Sequence, residues 1–301
     1  MLKRISLFLL TNLAVLVLIN VILIILSKVF GINLSWYGYD YTGILIFSAV
    51  VGFSWSIISL FLSKASAKRL YNIRLIDSHQ LGSLDKKEEL VYNLVLDIAN
   101  RNGIKTPEIG IYNASSPNAF ATGSSKNNSL VAVSTWLLES MNENEIEWVV
   151  AHEMAHILNW DMVTMTLLQW VINTFVIFLS RIAANILDSY FSKGENQGPS
   201  YIYYVSSIFF DIVFGLFASL IVMWFSRHRE YRADEGSATY VGKEKMIAAL
   251  ESLKKQYILQ APNEKFATMQ IASPSQNGWK FLFQTHPSLD SRIENLEKIR
   301  M

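Results

Sequence analysis

The chain contains no cysteine among its 301 residues. This absence excludes disulfide frameworks, thiol nucleophiles, zinc ribbons and iron–sulfur clusters. A bound metal would therefore need His, Asp or Glu ligands, and only five His are present.

Charge is also scarce, at 17% of residues against about 25% in a typical soluble domain. The hydrophobic content of 51% is concentrated in long runs, which excludes disorder and collagen and predicts an integral membrane protein. The net charge of +1 provides no electrostatic footprint for phosphates, so we expect no nucleic-acid partner.

Four apolar runs are long enough to span a bilayer, at residues 5–26, 42–63, 162–186 and 201–226. The first has 22 uncharged residues, and a helix of this length at about 1.5 Å per residue crosses a hydrocarbon core of about 30 Å. A cleaved signal peptide is the alternative, but the run exceeds a typical signal-peptide core and no small-residue cleavage site follows it. The third and fourth runs contain Arg181 and Asp211 among other polar residues, so a buried hairpin of a soluble domain remains an alternative for this pair.

Basic residues cluster before the first run, after the second and after the fourth, which by the positive-inside rule places both termini in the cytoplasm. The sequence thus predicts a mainly α, multi-pass membrane protein whose cytosolic α+β domain is split by the second helix hairpin. The predicted segments are an N-terminal transmembrane hairpin (1–63), a first cytosolic part (64–161), a second transmembrane hairpin (162–226) and a second cytosolic part (227–301).

Within the first cytosolic part, apolar periodicity predicts a helix over 86–102. Short apolar stretches predict strands over 108–112 and 130–134, separated by a turn rich in Ser, Asn and Gly. In the second part, a Pro/Asn/Ser-rich stretch at about 260–278 predicts a loop.

Two of the five His lie in the pattern His-Glu-x-x-His, at 152–156 of a helix-favouring stretch. His152 and His156, at i and i+4, project from one helix face and can bind one metal ion, while Glu153 lies beside the water that such a site activates. The alternative is a helix that carries two structural His.

A second pattern, Glu-x-x-x-Asp, follows the fourth run. Glu230 and Asp234 again share one helix face, and Glu230 would complete a His₂Glu set, which leaves the fourth position of a catalytic zinc free for water. Asp234 is placed to accept from the free N–H of a liganding His and to fix its tautomer. Salt bridges to the neighbouring Arg227, Arg229 or Arg232 are the alternative role for both acids.

These residues resemble the HtpX membrane zinc metallopeptidases, which are bacterial relatives of the type I CAAX prenyl proteases. The similarity includes His-Glu-Met-Ala-His at 152–156, Trp-Phe-Ser-Arg-His-Arg-Glu-Tyr-Arg-Ala-Asp at 224–234, Asn-Ala-Phe-Ala-Thr-Gly at 118–123 and Thr-His-Pro-Ser-Leu-Asp-Ser-Arg-Ile at 285–293. The resemblance implies a zincin-like domain in which His152, His156 and Glu230 bind one Zn²⁺ and Glu153 is the catalytic base.

The resemblance further implies an inner-membrane endopeptidase, with a cytoplasmic active site, that acts in the stress response on misfolded membrane proteins. Extended substrates would bind along an edge strand, which suits an enzyme that must accept many sequences. That strand comprises Asn118, Ala119, Phe120, Ala121, Thr122 and Gly123, for which a surface turn is the alternative.

The remaining His are less informative. The resemblance places His286 near the cleft as a stabiliser of the tetrahedral intermediate or a mobile fourth ligand, although a structural role before Pro287 is equally consistent. We expect His79 and His228 to serve solvation or packing.

Two functions of other classes are alternatives. A non-enzymatic membrane chaperone with structural zinc would have no use for Glu153 as a base. A transporter could use Arg181 and Asp211 as pathway residues, but the chain has no duplicated halves.

Overall fold

The computed structural model describes residues 41–77, 82–114, 117–191, 199–260 and 286–299. The first predicted span, at 5–26, lies outside the described residues, as does most of the loop predicted at 260–278. In chain order the elements are α1 (Tyr41–Leu70), β1 (Arg74–Ile76), α2 (Lys86–Arg101), β2 (Glu108–Tyr112), β3 (Ala119–Ser125), β4 (Asn128–Ser134), α3 (Thr135–Ser140), α4 (Glu143–Leu158), α5 (Asp161–Phe191), α6 (Tyr201–Val241), α7 (Lys243–Gln260) and α8 (Leu289–Lys298).

Three of the described helices are long and apolar enough to cross a membrane: Gly43–Leu70, Asp161–Phe191 and Tyr201–Val241. Large apolar side chains on them are exposed, such as Trp55 at 71% and Phe217 at 66%. A hairpin buried in a soluble domain would cover such side chains, so their exposure favours lipid contact for α5 and α6.

The described residues fall into two compact units, one within Met1–Ile57 and Thr166–Ser219, the other within Ile58–Met165 and Leu220–Met301. In the first unit, the indole N–H of Trp170 donates to Ala49 O (2.9 Å), and a Cβ at Gly52 would lie 3.0 Å from Thr174 Oγ1. Small residues thus allow close packing between these apolar helices.

The two charged residues of the third and fourth runs pair with each other. Arg181 Nη1 donates to Asp211 Oδ2 at 3.1 Å. Pairing lowers the cost of placing each charge among apolar helices, so both residues have a structural role that needs no transport pathway.

The second unit contains a four-stranded sheet of order β1-β2-β4-β3. Strand β2 is parallel to β4, whereas β1 and β3 run antiparallel to their neighbours, and β3 forms an edge. The predicted strands at 108–112 and 130–134 are observed as β2 and β4. The edge strand that the resemblance implies at 118–123 is observed as β3, so the interval between β2 and β4 is not only a turn. The small residues of β3 have low strand propensity, so pairing with β4 determines its conformation.

Helix α4 lies at the centre of this unit and is almost wholly buried. It begins with a capping box in which Asn142 Oδ1 accepts from Glu145 N (3.1 Å) and Glu145 Oε2 accepts from Asn142 N (3.0 Å). It packs against α2, β3 and α7, and its apolar side chains share one core with Ile111 and Val133 of the sheet. The helix that carries the His pair is therefore held on several sides.

Candidate metal centre

His152 and His156 lie on one face of α4, as their spacing predicts. Their ring centroids are 4.8 Å apart and the rings are nearly perpendicular. His152 and Glu153 are buried, and His156 is slightly more open. A buried α-helix thus presents two imidazoles toward one point.

Glu230 reaches the same point from α6. Its Oε2 lies 3.4 Å from His152 Nε2, and its Oε1 lies 3.4 Å from His156 Nε2. One ligand atom from each of the three residues falls within 4.8 Å of the others. Two imidazole nitrogens and a carboxylate at this spacing can bind a single metal ion.

A glycine allows α6 to approach α4 this closely. A Cβ at Gly236 would lie 2.9 Å from Ala155 Cβ, closer than the roughly 3.5–4.0 Å of ordinary carbon contacts. Ala155 immediately precedes His156, so this close contact between the two helices lies directly beside the site.

The other ring nitrogen of each His lies close to an aspartate. His152 Nδ1 lies 2.9 Å from Asp234 Oδ1, and His156 Nδ1 lies 2.8 Å from Asp161 Oδ2. With Nδ1 as the protonated nitrogen, each Nε2 keeps its lone pair for a metal. Asp234 was predicted for this position. Asp161 was not, because it belongs to the first turn of α5, across a helix junction that spacing alone does not resolve.

Each aspartate is in turn held by an arginine. Arg292 Nε and Nη2 donate to the two oxygens of Asp234 at 2.8 and 2.6 Å, while Arg232 Nη2 donates to Asp161 Oδ1 at 3.0 Å. Sequence reasoning offered Arg232 only as a salt-bridge partner of Glu230 or Asp234 and assigned no role to Arg292. The sole signal for Arg292 was its place at the end of the recognised segment 285–293.

The charges of the cluster test whether a divalent metal fits. Four carboxylates and two guanidinium groups surround the site, which leaves an excess of two negative charges. They belong to Glu153, Asp161, Glu230, Asp234, Arg232 and Arg292. A divalent cation would neutralise this excess, so the residues present fit such an ion.

The pKa values of the two His also indicate that the site favours positive charge. Burial lowers the pKa of both His, but hydrogen bonds to the surrounding carboxylates outweigh this effect, so the pKa of His152 is raised and that of His156 rises to about 10. Burial also raises the pKa of the Glu153 carboxyl above its ordinary value. The surrounding carboxylates thus favour protonated His when no metal is bound, and the raised pKa of Glu153 favours its role as a proton acceptor.

His286 also reaches the cluster. Its Nδ1 lies 2.8 Å from Glu230 Oε2, and its side chain is 33% exposed, which makes it the most accessible of the three imidazoles. His228 is exposed and its ring lies against Trp224, with centroids 5.0 Å apart, whereas His79 lies outside the described residues.

Comparisons with known proteins agree with this geometry. The family model described as Peptidase family M48 matches residues 85–300. Protease HtpX of Alkalilimnicola ehrlichii is 49% identical over 301 residues, covering 99% of this chain and 98% of that protein. A protease HtpX homolog of Neisseria meningitidis is 50% identical over 298 residues, covering 99% of this chain and all of that protein.

A solved structure shares the fold. The crystal structure of S. mikatae Ste24p superposes with a TM-score of 0.60 at 17% sequence identity, covering 95% of this chain and 67% of that one. This likeness supports a mostly helical membrane fold with a small sheet. With the HtpX relatives at about half identity over their full length, the chain belongs to peptidase family M48 and is a multi-pass membrane metallopeptidase.

Proposed function

We propose that the metal is Zn²⁺, one ion per chain, and that the enzyme is an endopeptidase acting on misfolded or damaged membrane proteins. The observation that carries this proposal is the convergence of His152, His156 and Glu230 within 4.8 Å, beside the buried carboxylate of Glu153. Two imidazoles and one carboxylate form a donor set that suits zinc, and three protein ligands leave a position open for reaction.

The chain's own residues divide the chemistry. When bound, zinc supplies the Lewis acidity that polarises a peptide carbonyl and lowers the pKa of a nearby water toward about 7. Glu153 takes the proton of the attacking water and passes it to the leaving amine. We expect His286, which is partly exposed beside Glu230, to donate to the oxygen on which negative charge develops.

Ligand substitutions test the metal assignment. His152→Ala, His156→Ala and Glu230→Ala should each lose zinc, because each removes one of three donors. Zinc per chain, measured by mass spectrometry on protein purified in detergent, checks this. Wild-type zinc content in Glu230→Ala would exclude Glu230 as a ligand.

The edge strand supports binding of an extended substrate. Ser134 N donates to Asn118 O at 2.9 Å, which identifies a hydrogen-bonded pair of the antiparallel ladder. Such pairs alternate, so Thr122 directs its backbone groups toward β4, whereas Ala119 and Ala121 direct theirs to the open edge. A substrate strand would pair with Ala119 and Ala121, while α4 packs against the same strand.

This register gives a specific test. Ala121→Pro deletes one outward N–H and leaves the bonds to β4, whereas the matched control Ala121→Ser keeps the N–H. A hydrogen bond contributes about 0.5–1.5 kcal/mol, so we expect kcat/KM of Ala121→Pro to fall about 2 to 13 fold with unchanged zinc content. Equal kcat/KM for the two variants would refute substrate pairing at Ala121.

The membrane arrangement is also a proposal: four transmembrane helices, at 5–26, 42–63, 162–186 and 201–226, with the catalytic domain formed by 64–161 and 227–301. Both termini and the site would face the cytoplasm of a bacterial inner membrane. The basic residues that flank the second and fourth runs support this orientation.

Cysteine labelling tests this topology, because the native chain has no competing thiol. Gly194, which lies outside the described residues, would face the periplasm, so Gly194→Cys should react with an impermeant maleimide from that side. A cysteine at the half-buried Lys254, whose side chain is 44% exposed in the cytosolic part, is the control and should react only after the inner membrane is permeabilised. The opposite pattern would refute the orientation.

A further inference from the structure

The C-terminal helix α8 contributes a charged residue that is completely buried. Arg292 lies one turn into α8, whose start is capped by Ser288 Oγ accepting from Ser291 N. The side chains of Arg292 and its partner Asp234 are both 0% exposed. Burying a guanidinium group costs free energy unless the group is fully paired, so the partners of Arg292 indicate what it does.

The pairing geometry points from Arg292 toward the metal ligands. Arg292 Nε donates to Asp234 Oδ2 at 2.8 Å and Arg292 Nη2 donates to Oδ1 at 2.6 Å. The same Oδ1 lies 2.9 Å from His152 Nδ1. A bidentate contact fixes the rotation of a carboxylate, whereas a single hydrogen bond does not. The position of the Asp234 oxygen that faces His152 is therefore fixed.

The aromatic side chain of Trp148 lies close to both Arg292 and His152. The Arg292 guanidinium lies 5.7 Å from the centroid of the Trp148 ring, and that ring lies 5.9 Å from the ring of His152, one turn along α4. Trp148 itself is fully buried. Arg292, Trp148, Asp234 and His152 therefore form one packed cluster beside the site.

We propose that Arg292 is a positioning residue of the metal site, which acts through Asp234 to fix the tautomer and ring orientation of His152. The proposal rests on the proposed function, in that His152 is taken to be a zinc ligand. It gives α8 a role in metal binding rather than only in closing the core.

The second arginine provides an internal comparison. Arg232 makes one bond to Asp161, at 3.0 Å, and its side chain is 51% exposed. Solvent screening and a single contact weaken such a pair. Loss of Arg232 should accordingly disturb His156 less than loss of Arg292 disturbs His152.

A purely structural role for Arg292 is distinguished by a control residue in α7 that contacts the end of α8. Lys243 Nζ donates to Glu297 O and Ile299 O, at 3.0 and 2.9 Å, and so ties down the end of α8 without contacting Asp234. Lys243→Ala should loosen α8 and leave the metal site unchanged.

The experiment compares Arg292→Lys, Arg292→Met, Arg232→Met and Lys243→Ala in the full-length protein in detergent. Zinc affinity is measured by competition with a chelator, and the ligand geometry by the visible spectrum of the Co²⁺-substituted protein. We expect Arg292→Lys to bind zinc about 10 to 100 fold more weakly, with a shifted Co²⁺ spectrum, because an ammonium retains the charge but lacks the planar fork. Arg232→Met should lose less affinity, and Lys243→Ala should match the wild type.

Arg292→Lys decides the matter even if Arg292→Met does not fold. Wild-type zinc affinity and an unchanged Co²⁺ spectrum in Arg292→Lys would overturn the proposal, as would an equal loss in Lys243→Ala. Glu230→Ala is measured alongside: if it loses zinc while Arg292→Lys does not, only the role of Arg292 fails. If Glu230→Ala retains zinc, the proposed metal site itself fails.

Discussion

Gly236 allows a quantitative prediction, because it lies where α6 closely approaches α4. A methyl group there would lie 2.9 Å from Ala155 Cβ, against about 3.5–4.0 Å in ordinary contact. Gly236→Ala must therefore open the helix pair by roughly 0.6–1.1 Å. Metal sites tolerate deviations of only about 0.2 Å in their ligand distances. Glu230 lies about 9 Å from Gly236 along the helix, so a displacement of this size that extends to Glu230 would exceed that tolerance.

Stability should change less than metal binding. Overpacking costs about 1–3 kcal/mol, whereas replacing Gly by Ala within a helix gains about 1 kcal/mol, so the two effects partly cancel. We expect Gly236→Ala to bind zinc at least about 10 fold more weakly with little loss of helix content by circular dichroism.

The compensating variant makes the test decisive. Ala155→Gly combined with Gly236→Ala moves the methyl group from one helix to the other and restores the close contact. The double variant should recover most of the zinc affinity and of the activity on an unfolded substrate. Wild-type zinc affinity in Gly236→Ala, or no recovery in the double variant, would refute the argument that this contact sets the ligand spacing.

Further predictions concern two individual side chains and one ion pair. Asp234→Asn should weaken zinc binding about 10 to 100 fold without abolishing it, and unchanged affinity would limit Asp234 to its bond with Arg292. His286→Ala should lower kcat more than it raises KM, with zinc content unchanged, if it stabilises the transition state. Arg181→Ala together with Asp211→Ala should destabilise the protein less than either single change, measured by thermal unfolding in detergent, because each single change leaves one charge unpaired.

Protons provide an independent check of the charge balance. Because the pKa of His156 is raised to about 10, its ring carries a proton at pH 7 when no metal is bound, and the pKa of His152 is raised as well. Zinc must displace the proton of His156, so calorimetry in buffers of different ionisation enthalpy should show release of at least about one proton per zinc bound. Each raised pKa stabilises the protonated state, so zinc affinity should rise with pH through neutrality. Zinc binding with no proton release would contradict the charge balance.

The local chemistry of the site was predictable because helix geometry alone sets it. The i and i+4 spacings place His152 with His156 and Glu230 with Asp234, and the structure brings both pairs together. What sequence could not supply were contacts between distant elements. Arg292 reaches Asp234 across 58 residues, and no periodicity connects them.

Tertiary context also explains the differences in secondary structure. The fourth apolar run ends at 226, but α6 continues to Val241, since the polar residues that follow still pack on α4 through Gly236 and Ser237. Strand β3 forms from small residues that have little intrinsic preference for a strand, because β4 provides its partner. The lengths of these two elements depend on their neighbours and not on their own composition.

The central claim is that Glu153 is the catalytic base beside the zinc ion and is not one of its ligands. The most direct test measures zinc content and cleavage of an unfolded substrate on the same purified samples of wild type and Glu153→Gln. The glutamine has nearly the shape of glutamate but cannot take up the proton, so the variant should keep one zinc per chain and lose turnover by a factor of at least about 100. Wild-type turnover in a zinc-loaded Glu153→Gln protein would contradict the account.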